Sequence, residues 1–235
     1  MGQRNRGKHP SDEKLFSLKW LPVFKEAVDD LCHLLSRGYA PNSSIEIVGN
    51  RYKLNKRQRS AVLRISSSEQ EIIGRQQNHC AIEDLENKII QIDGFNLLIL
   101  LESALSGAYV FKSRDGTYRD ISSVHGSYKR VLQTEKAIEL VGEVLAQLKV
   151  KSVHWYLDQP ISNSGRLKSR LLEFSVKQQY NWQVDLVYNP DKLLAESEHV
   201  VVSSDGWILD RAKEWFNLGA YLIDNHIPAT NLLIC

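Results

Sequence analysis

Four aspartates stand where apolar runs end. Asp93 follows Ile89-Ile90-Gln91-Ile92, and Asp158 follows Trp155-Tyr156-Leu157. Asp191 closes Tyr188-Asn189-Pro190-Asp191, and Asp205 follows Val200-Val201-Val202-Ser203-Ser204. If those runs are parallel strands, their carboxyl ends share one rim of a sheet, where such folds bind ligands. Crowded carboxylates repel one another unless a cation or a shared proton offsets the charge. Mg2+ or Mn2+ is the natural partner, because hard cations prefer carboxylate and water oxygens. Such an ion can activate water against a phosphodiester. The plainer explanation is capping, since aspartate is common where a strand hands over to a helix. Capping suffices for any one of the four, and for Asp205 ahead of Trp207 in particular. Four at successive strand ends favour the cation. The expected metal ligands are Asp93, Asp158 and Asp205, with Asp191 as a fourth catalytic candidate.

Other side chains could serve the same chemistry. Asn96 could hold a water or a phosphate, or simply cap the helix that follows. Ser162-Asn163-Ser164-Gly165-Arg166 opens a helix after Asp158, and its free N–H groups with Arg166 and Lys168 would suit an anion. Arg170 adds charge nearby. An ordinary helix with a solvated basic face explains that segment equally simply. Arg51, Lys53, Lys56, Arg57, Arg59 and Arg64 lie in a stretch from Ile47 to Ser68 that contains no acid, with Tyr52 interleaved. That stretch is the candidate nucleic-acid contact, against a solvated helix face. His125 is a candidate base or phosphate contact, against a structural hydrogen bond. Trp155, Trp182, Trp207 and Trp215 sit in apolar patterns and read as core.

Bulk properties bound the function. The chain has 235 residues, 43% hydrophobic and 25% charged, with net charge +2, enough for one ordinary domain and a smaller one. Residues 1–87 carry 14 Lys/Arg against 11 Asp/Glu, and residues 88–235 carry 16 against 17. Cys32, Cys80 and Cys235 have neither zinc nor redox spacing, and no prenylation signal ends the chain. No secretion signal and no membrane-length apolar run is present, so a soluble, cytoplasmic protein is expected. A Walker loop and a Ser-His-Asp elbow are both lacking, which argues against nucleotide hydrolysis and covalent catalysis.

The elements that must position these residues follow from periodicity. Residues 1–13 read as a flexible tail. Residues 14–87 read as a helical domain. Leu21, Phe24, Val28, Leu31, Leu34 and Leu35 recur at helical steps up to Gly38. A short helix from Ser43 or Ser44 to Val48, broken by Gly49-Asn50, and another capped by Asn55 suggest a helix-turn-helix. Residues 66–77 are merely polar. Residues 88–235 read as an α/β domain with a mostly parallel sheet between helical layers. Its expected strands are 89–92, 152–157, 183–188, 199–203 and 220–223. Its expected helices are 97–105, 127–148, 165–178, 191–197 and 207–217. A hairpin turns at Asp115-Gly116, as a lid or as a packing insert.

Ile92-Asp93-Gly94-Phe95-Asn96 and Ser203-Ser204-Asp205, with Tyr156-Leu157-Asp158 between them, resemble the PIN/NYN superfamily of metal-dependent nucleases over residues 88–228. The resemblance implies a PIN/NYN-like three-layer fold and a divalent-metal-dependent ribonuclease. It would use metal-activated water and place Asp191 near a further family acid. Many such proteins carry one more acid between the first two strands. Glu102, Asp115 and Asp120 are the candidates here, and none sits in a diagnostic motif, which leaves an inactive RNA-binding or adaptor protein as the alternative. RNA is the implied partner, DNA stays open, and a homo-oligomer is compatible with the sequence. Over nearly its whole length the chain also resembles a prokaryotic, largely archaeal, family. In that family a small helical domain of unknown function precedes the PIN-like part, and no activity is implied.

Overall fold

A computed structural model describes residues 6–122, 128–129, 131–227 and 230–234. His125 and Cys235 lie outside the described residues.

The first part is helical: α1 (Asp12–Leu15), α2 (Leu21–Ser36), α3 (Pro41–Arg51), α4 (Lys56–Ile65) and α5 (Glu69–Gln77). Within residues 6–13, Arg6, Gly7 and Asp12 are tied down by contacts to Glu102 and Arg57, while Lys8, His9, Pro10 and Glu13 are exposed. Asp12 is buried and accepts two hydrogen bonds from the Arg57 guanidinium, at 2.6 and 2.9 Å. Asn55 caps α4 through a reciprocal box with Gln58, as its position predicts. Helix α3 departs from expectation at both ends. Pro41 starts it, its fixed φ suiting a first helical position. Gly49 does not break it; a Cβ there would come within 2.5 Å of Arg59 Nε, so the glycine leaves room for the Arg59 side chain. The turn to α4 is therefore residues 52–55, with Lys53 at φ +52°. Helix α5 was hidden in a polar stretch, but Ser68 and Glu71 form its capping box.

The second part is mixed α/β, with elements β1 (Ile89–Asp93), α6 (Gly94–Leu105), β2 (Tyr109–Lys112), β3 (Tyr118–Asp120), α7 (Thr134–Gln147), β4 (Ser152–Asp158), α8 (Ser164–Gln178), β5 (Trp182–Val187), α9 (Pro190–Ala195), β6 (Val200–Val202), α10 (Gly206–Leu209), α11 (Leu218–His226) and β7 (Asn231–Ile234). The central sheet has four parallel strands in the order β5-β4-β1-β6. The chain therefore builds outward from β1 through β4 to β5, then returns to the other side of β1. That reversal makes the carboxyl ends of β1 and β6 the topological switch point. Ile90, Ile92, Trp155, Leu157 and Val202 face one core with α6, α7, α8 and α11. Val201 faces the other way, onto Leu194, Ile208 and Leu209 of α9 and α10. Farther out on that second face, Gln183 and Asp185 of β5 are exposed.

The C-terminal third corrects the sequence reading. The helix expected over 207–217 ends at Leu209. Residues after it run alongside β6 instead: Val201 N–H donates to Glu214 O at 2.9 Å, and Phe216 N–H to Val201 O at 2.9 Å. This covers the open edge of β6, whose unpaired backbone groups would otherwise be exposed. The strand expected over 220–223 is part of α11, capped by Asn217. The final strand, β7, pairs parallel with β2.

The Asp115-Gly116 hairpin forms as expected, and it is a packing insert. Strands β2, β3 and β7 make a second sheet, in the order β3-β2-β7. Phe111 of β2 and Leu233 of β7 join the core of the helical part with Phe24, Val28 and Val62. Arg64 donates to Asp120 O at 2.8 Å, and Arg114 N–H to Ile65 O at 3.1 Å. Phe111→Ala should therefore cost about 3–5 kcal/mol of stability and loosen the helical part from the sheet. Urea denaturation read by circular dichroism checks this, and a loss of only a few tenths would show that the hairpin is dispensable.

Candidate active site

The two motifs that open and close the sheet lock together across the switch point. Asp93 is the last residue of β1 and caps α6, accepting Asn96 N–H at Oδ1 (3.3 Å). Its Oδ2 accepts from Ser203 Oγ at 2.9 Å. The Asn96 side chain answers in the other direction. Its Oδ1 accepts both Ser204 N–H (2.8 Å) and Ser204 Oγ (2.9 Å). Ser203 Oγ in turn accepts Asp205 N–H at 3.0 Å. Gly94 is required by closeness: a Cβ there would lie 3.0 Å from Tyr156 O and 2.5 Å from Leu157 Cδ2. Asp-Gly-Phe-Asn and Ser-Ser-Asp are thus one hydrogen-bonded unit.

The electrostatics of the rim are set by burial and like charge. Burial pushes the Asp93 carboxyl up to about 7. The Ser203 and Asn96 hydrogen bonds oppose that rise, while the carboxylates of Asp191 and Asp205 add to it. Asp191 is raised by partial burial and by Asp205 and Asp158. Asp158 is raised by burial alone, and its Oδ1 is buried with no hydrogen-bond partner. All four expected acids therefore fall at the carboxyl-end rim of the sheet, where like charge raises Asp93 and Asp191. Among the described residues, no cation contributes to the shift of Asp158 or Asp191. Asp205 is exposed and also caps α10 through Trp207 N–H at 2.8 Å, so the capping role anticipated for it is present. Among the described residues, no three His, Cys, Asp or Glu side chains converge closely enough to hold a metal ion as they stand.

The extra acid sought between the first two strands is not free. Glu102 is fully buried and bonded to Arg6, Tyr128 and Thr134. Asp115 sits between Arg75 Nη1 (2.5 Å) and Arg119 Nη2 (2.8 Å). Asp120 accepts Ser122 N–H at 2.6 Å. Arg75 also reaches Asp210 at 2.7 Å, and its guanidinium fills the space where Gly206 lacks a Cβ. The helical part therefore abuts the residue that follows Asp205. That contact had no local sequence signal.

Several of the expected nucleic-acid contacts are held internally. Arg57 binds Asp12. Arg59 binds Glu46 (2.5 Å), Asn50 (2.8 Å) and Leu54 O (2.9 Å). Arg64 binds Asp120 O, and Arg51 lies 3.4 Å from Asp30 and over the Tyr52 ring. Lys53 and Lys56 are exposed. Lys168 lies 3.6 Å from Asp185, and Arg170 binds Glu135 and Glu173. Helix α8 starts without a side-chain cap. Arg166 lines a cavity of about 380 Å3 beside it, with Lys129 and Asn163. Trp155, Trp182 and Trp215 are core, as their patterns imply. Trp207 is not: Ile208 and Leu209 take the inward face of α10 and leave it outside.

The raised Asp93 carboxyl has a consequence for stability. The folded state keeps its proton to about pH 7, whereas the group's ordinary value is 3.8. The folded state binds the extra proton between those values, so its stability falls as pH rises through that window. Asp93→Asn removes this loss. The variant should gain on the wild type by about 2–4 kcal/mol between pH 4 and pH 8. Urea denaturation across that range checks it, and a difference that stays flat would contradict the burial argument.

Residues 82–221 match the family described as Domain of unknown function (DUF5616), and residues 23–77 match Protein of unknown function (DUF434). The chain is 35% identical over 185 residues to "Uncharacterized protein MJ0935" of Methanocaldococcus jannaschii, which covers 79% of this chain and 88% of the relative. No solved structure matches. No helix among the described residues is long and apolar enough to cross a membrane. With the interlocked motifs and the acidic rim both inside the matched segment, the chain belongs to the DUF5616 family, and a DUF434 segment precedes that domain.

Proposed function

We propose that the acidic rim is a phosphodiesterase site of PIN/NYN-like type, and that the protein is a divalent-metal-dependent ribonuclease. One observation carries this. Four aspartates lie at or just past the carboxyl ends of the four parallel strands, and like charge from Asp191 and Asp205 reaches a buried Asp93 whose carboxyl is raised to about 7. Capping and turn formation do not require such crowding.

The residues suit Mg2+ or Mn2+ in donor type, since every candidate is a carboxylate oxygen. The unpartnered, buried Asp158 Oδ1 is a lone pair awaiting a donor or a cation. Asp93, Asp158 and Asp205 would between them supply one or two direct carboxylate ligands, the others acting through the ion's water, with Asp191 beside them. Mg2+ typically takes only one or two carboxylates and keeps water in its other positions, so a ready-made cage is not needed. Such an ion supplies activation of the attacking water and offsets charge on the phosphodiester.

The chain's own groups do the rest. Ser203 Oγ and Asn96 N–H donate to the Asp93 carboxyl and fix its orientation toward the rim. Asn96 has its Oδ1 occupied by Ser204, so its Nδ2 is the donor left to meet a phosphate oxygen. Lys53, Lys56 and Arg166, with the exposed Arg51, would offer charge to the phosphate backbone and grip it without reading sequence.

A second reading has its own observation. Glu102, Asp115 and Asp120 are all committed to internal bonds, so none of these three candidates joins the rim. A protein that keeps the fold and binds RNA without cutting it would show that arrangement. Incubation of single-stranded RNA with Mn2+ or Mg2+ separates the two. The wild type should cleave, EDTA should stop it, and Asp93→Asn should slow it by about a hundredfold or more. Cleavage that survives EDTA or the substitution overturns the metal mechanism, and RNA bound but left intact favours the second reading.

A further inference from the structure

The acids at the rim are accompanied by an aromatic surface that catalysis by carboxylates alone does not need. Trp207 lies two residues after Asp205, in the first turn of α10, and is 46% exposed. Of the other tryptophans, Trp155, Trp182 and Trp215 are all below one tenth exposed and Trp20 is half-buried. One face of the Trp207 ring is covered by Arg211, whose guanidinium carbon stands 4.3 Å from the ring centroid. Arg211 Nη1 also donates to Trp207 O at 3.0 Å, which holds the pair in register. A ring covered on one side and still nearly half exposed presents its other side to solvent. Backbone bonding fixes its place beside the acids, because Trp207 N–H donates to Asp205 Oδ1. Tyr188, 77% exposed, follows β5, the strand at the opposite edge of the sheet from β6.

We propose that Trp207, backed by Arg211, is a base-stacking subsite for an unpaired nucleobase next to the phosphodiester at the acidic rim. This deepens the ribonuclease reading and rests on it for the identity of the ligand. Any base has a flat π face, so the indole takes it without sequence choice. Arg211 stacks on the far face and brings a positive charge near the following phosphate; no ion pair engages it among the described residues. Tyr188 offers a second ring on the other flank. A duplex, whose bases are already stacked, gains nothing from these rings.

The test is binding of a short fluorescein-labelled single-stranded RNA of mixed sequence, read by anisotropy in EDTA so that cleavage plays no part. The same RNA annealed to its complement is the control. Trp207→Ala should weaken single-strand binding about tenfold, Trp207→Phe should keep it within about threefold, and duplex binding should not move. Thermal melting of both variants confirms that the fold is intact. Equal binding by Trp207→Ala and wild type, equal loss with Trp207→Phe, equal loss on the duplex, or no single-strand binding by the wild type would each overturn the subsite. A wild type that cleaves RNA but ignores Trp207→Ala overturns the subsite alone. Binding that depends on Trp207 without metal-dependent cleavage keeps the subsite and overturns the nuclease reading.

Discussion

The fold turns on a buried carboxyl group at the end of its central strand. A carboxyl removed from water must find hydrogen bonds or give up its charge. Asp93 does some of each. Its hydrogen bonds come from its own helix, through Asn96 N–H, and from Ser203 on the far side of the switch point. The reciprocal bonds from Ser204 to Asn96 complete a latch between strands separated by over a hundred residues of chain. That latch fixes β6 against β1, and with it the direction in which Asp205 leaves the sheet. Two short motifs that would otherwise mark two capped helices become a single structural unit.

The rest of the molecule braces this latch. Arg75 spans from the helical part to Asp115 of the hairpin and Asp210 beyond α10. It also packs against Gly206, directly after Asp205. The hairpin contributes Phe111 to the helical core and Asp115 to the buried ion network. The helical part is therefore joined to the α/β part through packed side chains and through Arg64 and Arg75. Within the helical part Arg57 and Arg59 engage Asp12 and Glu46, while Lys53 and Lys56 remain exposed.

The sequence disclosed most where a local rule and a tertiary demand agree. Strands 89–93, 152–158 and 200–202 announce themselves by apolar runs, and Asn55 by its capping box with Gln58. Legibility failed where the tertiary demand was alone. Residues 214–216 have helical company but are drawn alongside β6 to cover its edge. Residues 220–223 look like a strand, yet Leu218, Leu222 and Ile223 bury one helical face behind the Asn217 cap. Gly49 looks like a break and is instead a clearance for Arg59. Among candidate site residues, the four strand-end acids were readable from spacing. Ser203 as a partner of Asp93, and the outward Trp207, were not, because each depends on which neighbour fills the space beside it.

Asp93 is where structure and proposed chemistry meet, so its titration is the direct test. Site-specific 13C NMR of the Asp93 carboxyl, assigned with Asp93→Asn, should give a pKa of about 7 without metal. Saturating Mg2+ should lower it, because a bound cation favours the ionised carboxylate. An ordinary value near 4, indifferent to Mg2+, would contradict both the burial that organises the switch point and the cation proposed to act there.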